Sequence, residues 1–431
     1  MDAGADALKV NLRRFDLRNK VKKLFLTRII HSSLRQCDCL SKTITWLLEL
    51  LSWVAPVEIQ KISAETIMRL GYFTMPVHGK DRNWTQTLKE DRETVILADR
   101  LGFHDAFIGE HLTDRTETIT SSMLFLASLV SDTKTIKLAT GTSNLSQSHP
   151  VLIAAHAAML DHLAEGRFIF GISPGALTSD AEALGILDED RNKMFVEAID
   201  VILEIWKRDA PYNIDLPDNR FKVSTARTAA PDLGIGQLPK PYQSPRPEIV
   251  GTVLAPFSQG VVAMGRRDFH PLSANFLLSK WLPSHWANYA QGKAEVGEVA
   301  QVSDWRVART IFVADDSKTA ASYGRYDEKS PYLAYYRQIL AKLHRSGRLF
   351  VMKEYKDQPD SEITLDKIMD ELVIYGTPNE VADKILALRE VSGDFGEIVY
   401  AGMDWVDGDL AKKSMTLMAE KVMPKVREAI G

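Results

Sequence analysis

The stretch from His149 to Gly175, HPVLIAAHAAMLDHLAEGRFIFGISPG, restricts the possible folds of this chain more than any other. Pro150 has the fixed φ that suits a first helical turn, and Ser148 just before it can cap that turn. The apolar helix runs to Leu163 and meets a stop at Gly166, the residue type that most readily closes a helix. Phe168–Ile172 is then an apolar run too short for a helix and of the right length for a buried strand. It ends at Ser173-Pro174-Gly175, a turn that leaves backbone amides free. Helix, glycine stop and wholly apolar strand make one unit of a parallel α/β fold, with its functional end at that turn.

The same alternation runs along the chain from Arg69. Arg69–Thr74, Asp105–His111, Ile136–Leu145 and Phe168–Ile172 read as the first four strands, and Pro247–Leu254, Leu272–Phe276, Val307–Ala314 and Glu397–Ala401 as the next four. Thr87–Leu101, Ser121–Val130 and Arg191–Trp206 carry helical spacing between them. The expected fold is a (β/α)8 TIM barrel over residues 68–431, with a long insertion and a non-barrel extension over residues 1–67. A barrel of this kind needs roughly 250 residues, so a chain of 431 leaves room for both. Pro211–Pro247, rich in Pro, Gly, Asp and Asn, reads as a lid, an excursion or a disordered segment. SPYLAYYRQILAKLHRSGRLF, ending at Phe350, reads as a lid or a subunit contact.

Composition excludes several classes. A formal net charge of −4 gives no electrostatic reason to expect nucleic acid. The only cysteines, Cys37 and Cys39, leave no disulfide framework or cysteine-based zinc site in the main body, which suits a reducing cytoplasm. The first 67 residues are basic and carry one apolar run, Ile44 to Val57. Glu49 and Pro56 interrupt it, and it falls short of the ~20 residues a bilayer span needs. The expectation is that Met68 is the natural start or that residues 1–67 form a poorly ordered extension; the alternative is a helix lying on a membrane surface.

In a parallel barrel the site lies where strands end, and the polar residues there are the candidates. Glu110 and His111 follow the second strand. A neutral imidazole at this place acts as a general base or hydrogen-bond donor, with Glu110 orienting it or packing behind it; the alternative is a histidine that merely caps the strand. Thr142, Ser143 and Asn144 end the third strand, where an interior Asn suggests a bulge or a strained peptide. Ser173 and Gly175 follow the fourth strand; Ser258, Gln259 and Gly260 follow the fifth and open a helix. His156 and His162 read as packing or surface residues, and no metal site is expected.

The wording of several of these segments is specific. Leu160-Asp161-His162-Leu163, then Glu165-Gly166-Arg167, then a strand closing on Gly171 and Gly175, resembles the bacterial luciferase-like, flavin-dependent monooxygenases. MRLGYFTMP at Met68 and YGTPNEVADKILAL, where Thr377 caps a helix starting at Pro378, support the resemblance, and PGALTSDAEALGI is similar to the limonene monooxygenase-like branch. The match runs from Met68 to about Trp405. It is weak between Asn213 and Asp370, where substrate specificity should sit.

The resemblance implies reduced FMN as co-substrate, delivered by a separate flavin reductase. It implies reaction of that flavin with O2 through a C4a-peroxide, a small apolar organic substrate, and a homodimer. Phe73, Phe107 and Trp281 would shield the chemistry from water. His111 matches the first histidine of the family's Glu-His-His, next to the flavin ring; the second position is Leu112 here. The family's non-prolyl cis peptide would fall at Ser143–Asn144, and His149 matches a histidine at the site's mouth. Pro174 stands where relatives carry a phosphate-holding arginine. The phosphate would then fall to Arg191, which matches a family arginine but could equally pair with Glu189, or to the helix start at Ser258–Gly260. Two rivals remain on the same barrel: a deazaflavin-dependent oxidoreductase and a non-catalytic flavin-binding protein.

Overall fold

The computed structural model describes residues 68–74 and 77–431. Expectations for residues 1–67 lie outside the described residues. Eight parallel strands close a barrel: β1 (Arg69–Thr74), β2 (Asp105–Ile108), β3 (Lys137–Thr140), β4 (Phe168–Ser173), β5 (Glu248–Val253), β6 (His270–Ser273), β7 (Arg306–Val313) and β8 (Glu397–Gly402). Each pairs with its sequence neighbour. β8 returns to β1 in the register Arg69↔Glu397 through Thr74↔Gly402, and β6 meets β7 at Arg306↔Leu272. All eight expected strands are present, with ends shifted by up to a few residues. The third breaks after Thr140 and resumes at Ser143–Asn144, which pair with Ile172 and Ser173.

The helices wrap the outside as the apolar spacing dictates. α1 (Trp84–Arg100) starts on an Asn83 side-chain cap, and α2 (Ser122–Ala127) on a Ser121 cap. α3 (Pro150–Leu163) starts on His149, whose Nδ1 accepts from the Val151 amide. That corrects the expectation for Ser148, which stands one residue too early to reach the free amides. Gly166 takes a φ of 83°, the left-handed turn that ends the unit. The conspicuous motif after α3 is structural. Asp161 is fully buried and accepts from the Gln243 amide and side chain, at 2.8 and 2.7 Å. Arg167 donates to the carbonyls of Ile136 and Val130. Together they bind the loop before β5 and the turn before β3 to the base of β4.

Two excursions decorate the barrel. Pro211–Pro247 contains an antiparallel hairpin, Asn213–Asp215 with Lys222–Ser224, tied to the barrel by Arg220 on Glu197 at 2.5 Å. The larger lies between β7 and β8. It includes α8 (Pro331–Arg345), the helix Leu365–Leu372, and a ninth parallel strand, Val373–Gly376, that pairs with the end of β7. That strand is not legible in the sequence, because four residues running on directly from a helix carry no period of their own.

The barrel interior is filled by Phe73, Phe107, Ala139, Ile169, Val250, Leu272, Ala308 and Val399, one from each strand. That core continues upward into Tyr332, Tyr335, Tyr336 and Ile339 of α8, so α8 covers the C-terminal mouth. Gly171 allows β3 and β4 to approach: a Cβ there would sit 1.7 Å from the Thr140 carbonyl oxygen. Gly171→Ala must force the strands apart in a packed core, and an expected loss of about 3 kcal/mol follows. Urea unfolding checks this; an unchanged midpoint at unchanged slope would refute the close approach.

Candidate active site

A cavity of about 960 Å³ opens at the C-terminal ends of the strands, beneath α8. Volumes of this order suit cofactor and small-molecule sites. Its wall includes Glu110, His111, Thr142, Asn144, Ser173, Gly175, Arg191, Ser258 and Gly260 of the residues singled out in the sequence. Ser143, His149 and Gln259 do not line it. Ser143 is buried in the short ladder against Ile172, His149 caps α3 and packs edge-on against Phe221, and Gln259 begins the helix Gln259–Arg266. Of the three expected shielding aromatics only Phe73 is on the wall. Phe107 lies deeper in the barrel under the Arg306 guanidinium, and the Trp281 indole donates to the Lys353 carbonyl.

β2 stops at Ile108, so Glu110 and His111 sit just past the strand rather than in it. Glu110 does not reach His111. Its carboxylate accepts from the Ser122 amide and hydroxyl, at 2.8 and 2.6 Å, and from the Asn144 amide at 3.0 Å. It therefore starts α2 and holds the loop after β3, which corrects the expectation that it orients the imidazole. Burial raises its pKa, against those hydrogen bonds.

The orienting group is Asp180, whose Oδ2 lies 3.2 Å from His111 Nδ1. Its other oxygen accepts from the Thr113 amide and hydroxyl. Glu117 lies on the opposite side of the ring, 3.4 Å from Nε2. Burial alone would lower the His111 pKa, but the Glu117 and Asp180 carboxylates outweigh it and raise the value. Burial likewise opposes, and the His111 and Thr113 hydrogen bonds achieve, a lowered Asp180. Carboxylates beside both ring nitrogens favour the protonated form of His111, which suits the hydrogen-bond donor among its expected roles better than the general base. Asp180 lies in PGALTSDAEALGI, a string singled out only for its similarity to the limonene monooxygenase-like branch; only the fold brings it to a partner 69 residues away.

The strand-end hydroxyls form a chain. Thr142 donates to Ser173 Oγ at 2.6 Å, Ser173 to Asn144 Oδ1 at 2.9 Å, and the Gly175 amide to Ser173 Oγ at 3.2 Å. The non-prolyl cis peptide is Gly141–Thr142, two residues before the expected bond. Gly141 lies against β2, where a Cβ would come within 2.8 Å of the Phe107 Cβ. α8 is attached to the loop after β2: Lys342 pairs with Asp114 and Glu117, and Gln338 donates to Thr116 Oγ1 at 2.6 Å.

Three arginines reach the cavity, Arg191, Arg267 and Arg348. Arg267 is paired with Asp200. Arg191 makes one weak contact, 3.4 Å to the Gly175 carbonyl; Glu189, its alternative partner, is taken by Arg220 at 3.1 Å. Arg348 has no carboxylate partner among the described residues.

The family model for luciferase-like monooxygenases matches residues 68–394. Limonene 1,2-monooxygenase of Rhodococcus erythropolis is 29% identical over 364 residues, 84% of this chain and 87% of that protein. 4-Hydroxyprotoasukamycin monooxygenase of Streptomyces nodosus subsp. asukaensis is 28% identical over 360 residues, 82% of this chain and 91% of that one. Among solved structures, the oxygenating constituent of 3,6-diketocamphane monooxygenase from Pseudomonas putida, a type II Baeyer-Villiger monooxygenase in complex with FMN, superposes with a TM-score of 0.74. It is 26% identical and covers 84% of this chain and 99% of its own. With the barrel, the strand-end cavity and the family match in agreement, the chain belongs to the luciferase-like monooxygenase family and is an oxidoreductase.

Proposed function

We propose that this protein uses reduced FMN and O2 to insert one oxygen atom into a small apolar organic substrate, the reduced flavin coming from a separate reductase. One observation carries this reading: a single cavity is lined both by guanidinium groups without carboxylate partners among the described residues and by a histidine whose two ring nitrogens face carboxylates. The residues fit the cofactor. Gly175, at a φ of 78°, leaves a cradle where a Cβ would lie 3.1 Å from the Gln147 side chain, and cationic and hydroxyl donors surround it. Reduced FMN, when bound, supplies the two electrons with which one oxygen atom of O2 enters the substrate and the other leaves as water.

The chain's own residues do the rest. Arg191 binds the phosphate, and Thr142, Asn144 and Ser173 present polar groups to the flavin. Phe73, Ile172, Val253, Leu272, Phe276 and Ala308 keep water out and accept an apolar substrate. His111 donates its proton to the oxygen that accumulates charge. The test is oxygen uptake with FMN, NADH and a generic flavin reductase over a panel of apolar substrates. The expected result is substrate-dependent uptake coupled to an oxygenated product. Hydride transfer from a reduced deazaflavin with no oxygen requirement would replace this reading with the deazaflavin one, and flavin binding without any turnover would leave only the non-catalytic one.

A reducing cytoplasm fits the lack of cysteine after Cys39, and among the described residues no helix is long and apolar enough to cross a membrane. The homodimer has its support on α3, where Leu152, Met159 and Leu163 are each about half exposed, at 52, 55 and 50%, along one helical face, with Leu124 of α2 exposed at 74%. Met159→Glu is expected to shift the protein from dimer to monomer in sedimentation velocity, with circular dichroism unchanged. A wild type that already sediments as a monomer would rule this contact out.

A further inference from the structure

We propose that Arg348 and Ser346, on the turn that follows α8, form with Arg191 a two-sided clamp for the phosphate of the flavin. The excursion after β7 thereby recognises the charged end of the cofactor. This rests on the FMN reading above and answers what replaces the arginine missing at Pro174. Arg191 comes from the start of the helix after β4, and Ser346 and Arg348 from the far end of the covering helix; all three line the same cavity.

Two arginines brought together in a partly buried wall repel unless an anion lies between them. No described carboxylate takes that place. Glu189 is committed to Arg220, and Asp190 caps its own helix by accepting from the Lys193 amide at 3.0 Å. Arg191 and Arg348 line one cavity, and both burial and the Arg191 charge push the Arg348 pKa down. The third cation on the wall, Arg267, is neutralised by Asp200 and does not compete. A phosphate dianion offers what the arrangement lacks: two negative charges, and oxygens that a planar guanidinium grips in a forked geometry. Ser346 lies on the same turn; its hydroxyl donates to the Leu343 carbonyl at 3.2 Å and would turn that hydrogen to the anion.

Because one half of the clamp sits on the excursion and the other on the barrel, phosphate binding also fixes the excursion. Lys342 and Gln338 attach the same helix to the loop that carries His111. Seating of the cofactor's phosphate and closure of the cover over the cavity are thus one event.

The test compares the full chain and its Arg348→Ala, Arg348→Lys and Arg191→Ala variants in equilibrium titrations with FMN and with riboflavin, which lacks the phosphate, followed by flavin fluorescence. For Arg348→Ala the expected result is FMN binding weaker by about tenfold to a hundredfold, riboflavin binding unchanged, and partial recovery in Arg348→Lys. Hydrogen exchange over residues 331–350 is expected to slow with FMN in the wild type and not with riboflavin. Equal weakening of both ligands, or none, in Arg348→Ala overturns the clamp. If Arg191→Ala alone loses the preference for FMN, the clamp is wrong while the FMN reading stands. A wild type that binds neither flavin removes the FMN reading itself.

Discussion

Replacing His111 with Ala should lower turnover in the coupled oxygenation assay by roughly a hundredfold or more, the usual contribution of a positioned proton donor, while FMN still binds. The ring is almost enclosed, with 14% of its side chain exposed, and carboxylates stand 3.2 and 3.4 Å from its two nitrogens. Its proton is therefore held more tightly than that of a free histidine, whose pKa is about 6.5. A step that needs the imidazolium should decline as pH climbs through a value above that of a free histidine. The same pairing contributes to stability: the contribution is complete below the unfolded value and disappears as pH rises through the folded one.

The neighbours of His111 allow a sharper test than its deletion. Asp180→Asn removes one carboxylate and leaves burial to act, so the alkaline limb of the pH–rate profile should move to lower pH. Lys342 lowers the His111 pKa by its own charge, so Lys342→Met should move that limb the other way. Opposite displacements identify the imidazolium as the titrating group. Unchanged turnover in His111→Ala, or a limb that neither neighbour moves, would remove His111 from the chemistry.

The eight strands were legible because each is a short apolar run closed by glycine or polar residues. That pattern is a local consequence of being buried on both faces. The site was legible only as far as it is local. Glu110, Asn144, Ser173 and Gly175 each end a strand or follow within two residues of one, and barrel topology alone carries them to the cavity. Asp180 and Arg348 were not legible, because nothing in the spacing of PGALTSDAEALGI or of the residues after α8 records a partner brought in by another part of the fold. Glu110 shows the reverse. Its place at a strand end was read correctly, yet its carboxylate serves the amides of Ser122 and Asn144 rather than the imidazole next to it, since consecutive side chains diverge as a strand ends. The most recognisable words of the chain, Asp161 and Arg167, turned out to be braces between loops and strands.

The floor of the barrel, at the opposite end from the cavity, supplies the largest expected change in stability. Arg306 is 1% exposed, with its Nε 3.0 Å from Asp105 and 3.4 Å from Glu397 and its Nη1 2.8 Å from Glu248. Burial holds Glu397 well above the usual carboxylate range, and the adjacent Asp105 adds to this. Glu248 lies well below that range, because Arg306 and His270 overcome its burial. Arg306→Met fills similar space but leaves Asp105 fully buried without its cation and the half-buried Glu248 with only His270 and Lys137, a change that costs about 3–5 kcal/mol. Urea midpoints should fall accordingly, and adding Glu248→Gln should recover part of the loss by removing one stranded charge. The pH dependence follows from the sign. Without Arg306 the Glu248 carboxyl loses the cation that lowers its folded-state pKa, so protonation favours the variant's native state and its deficit should be smaller near about pH 5 than near about pH 8. A deficit that is the same at both pH values would mean that packing around the Phe107 ring, which the guanidinium covers at 5.5 Å, matters more than charge.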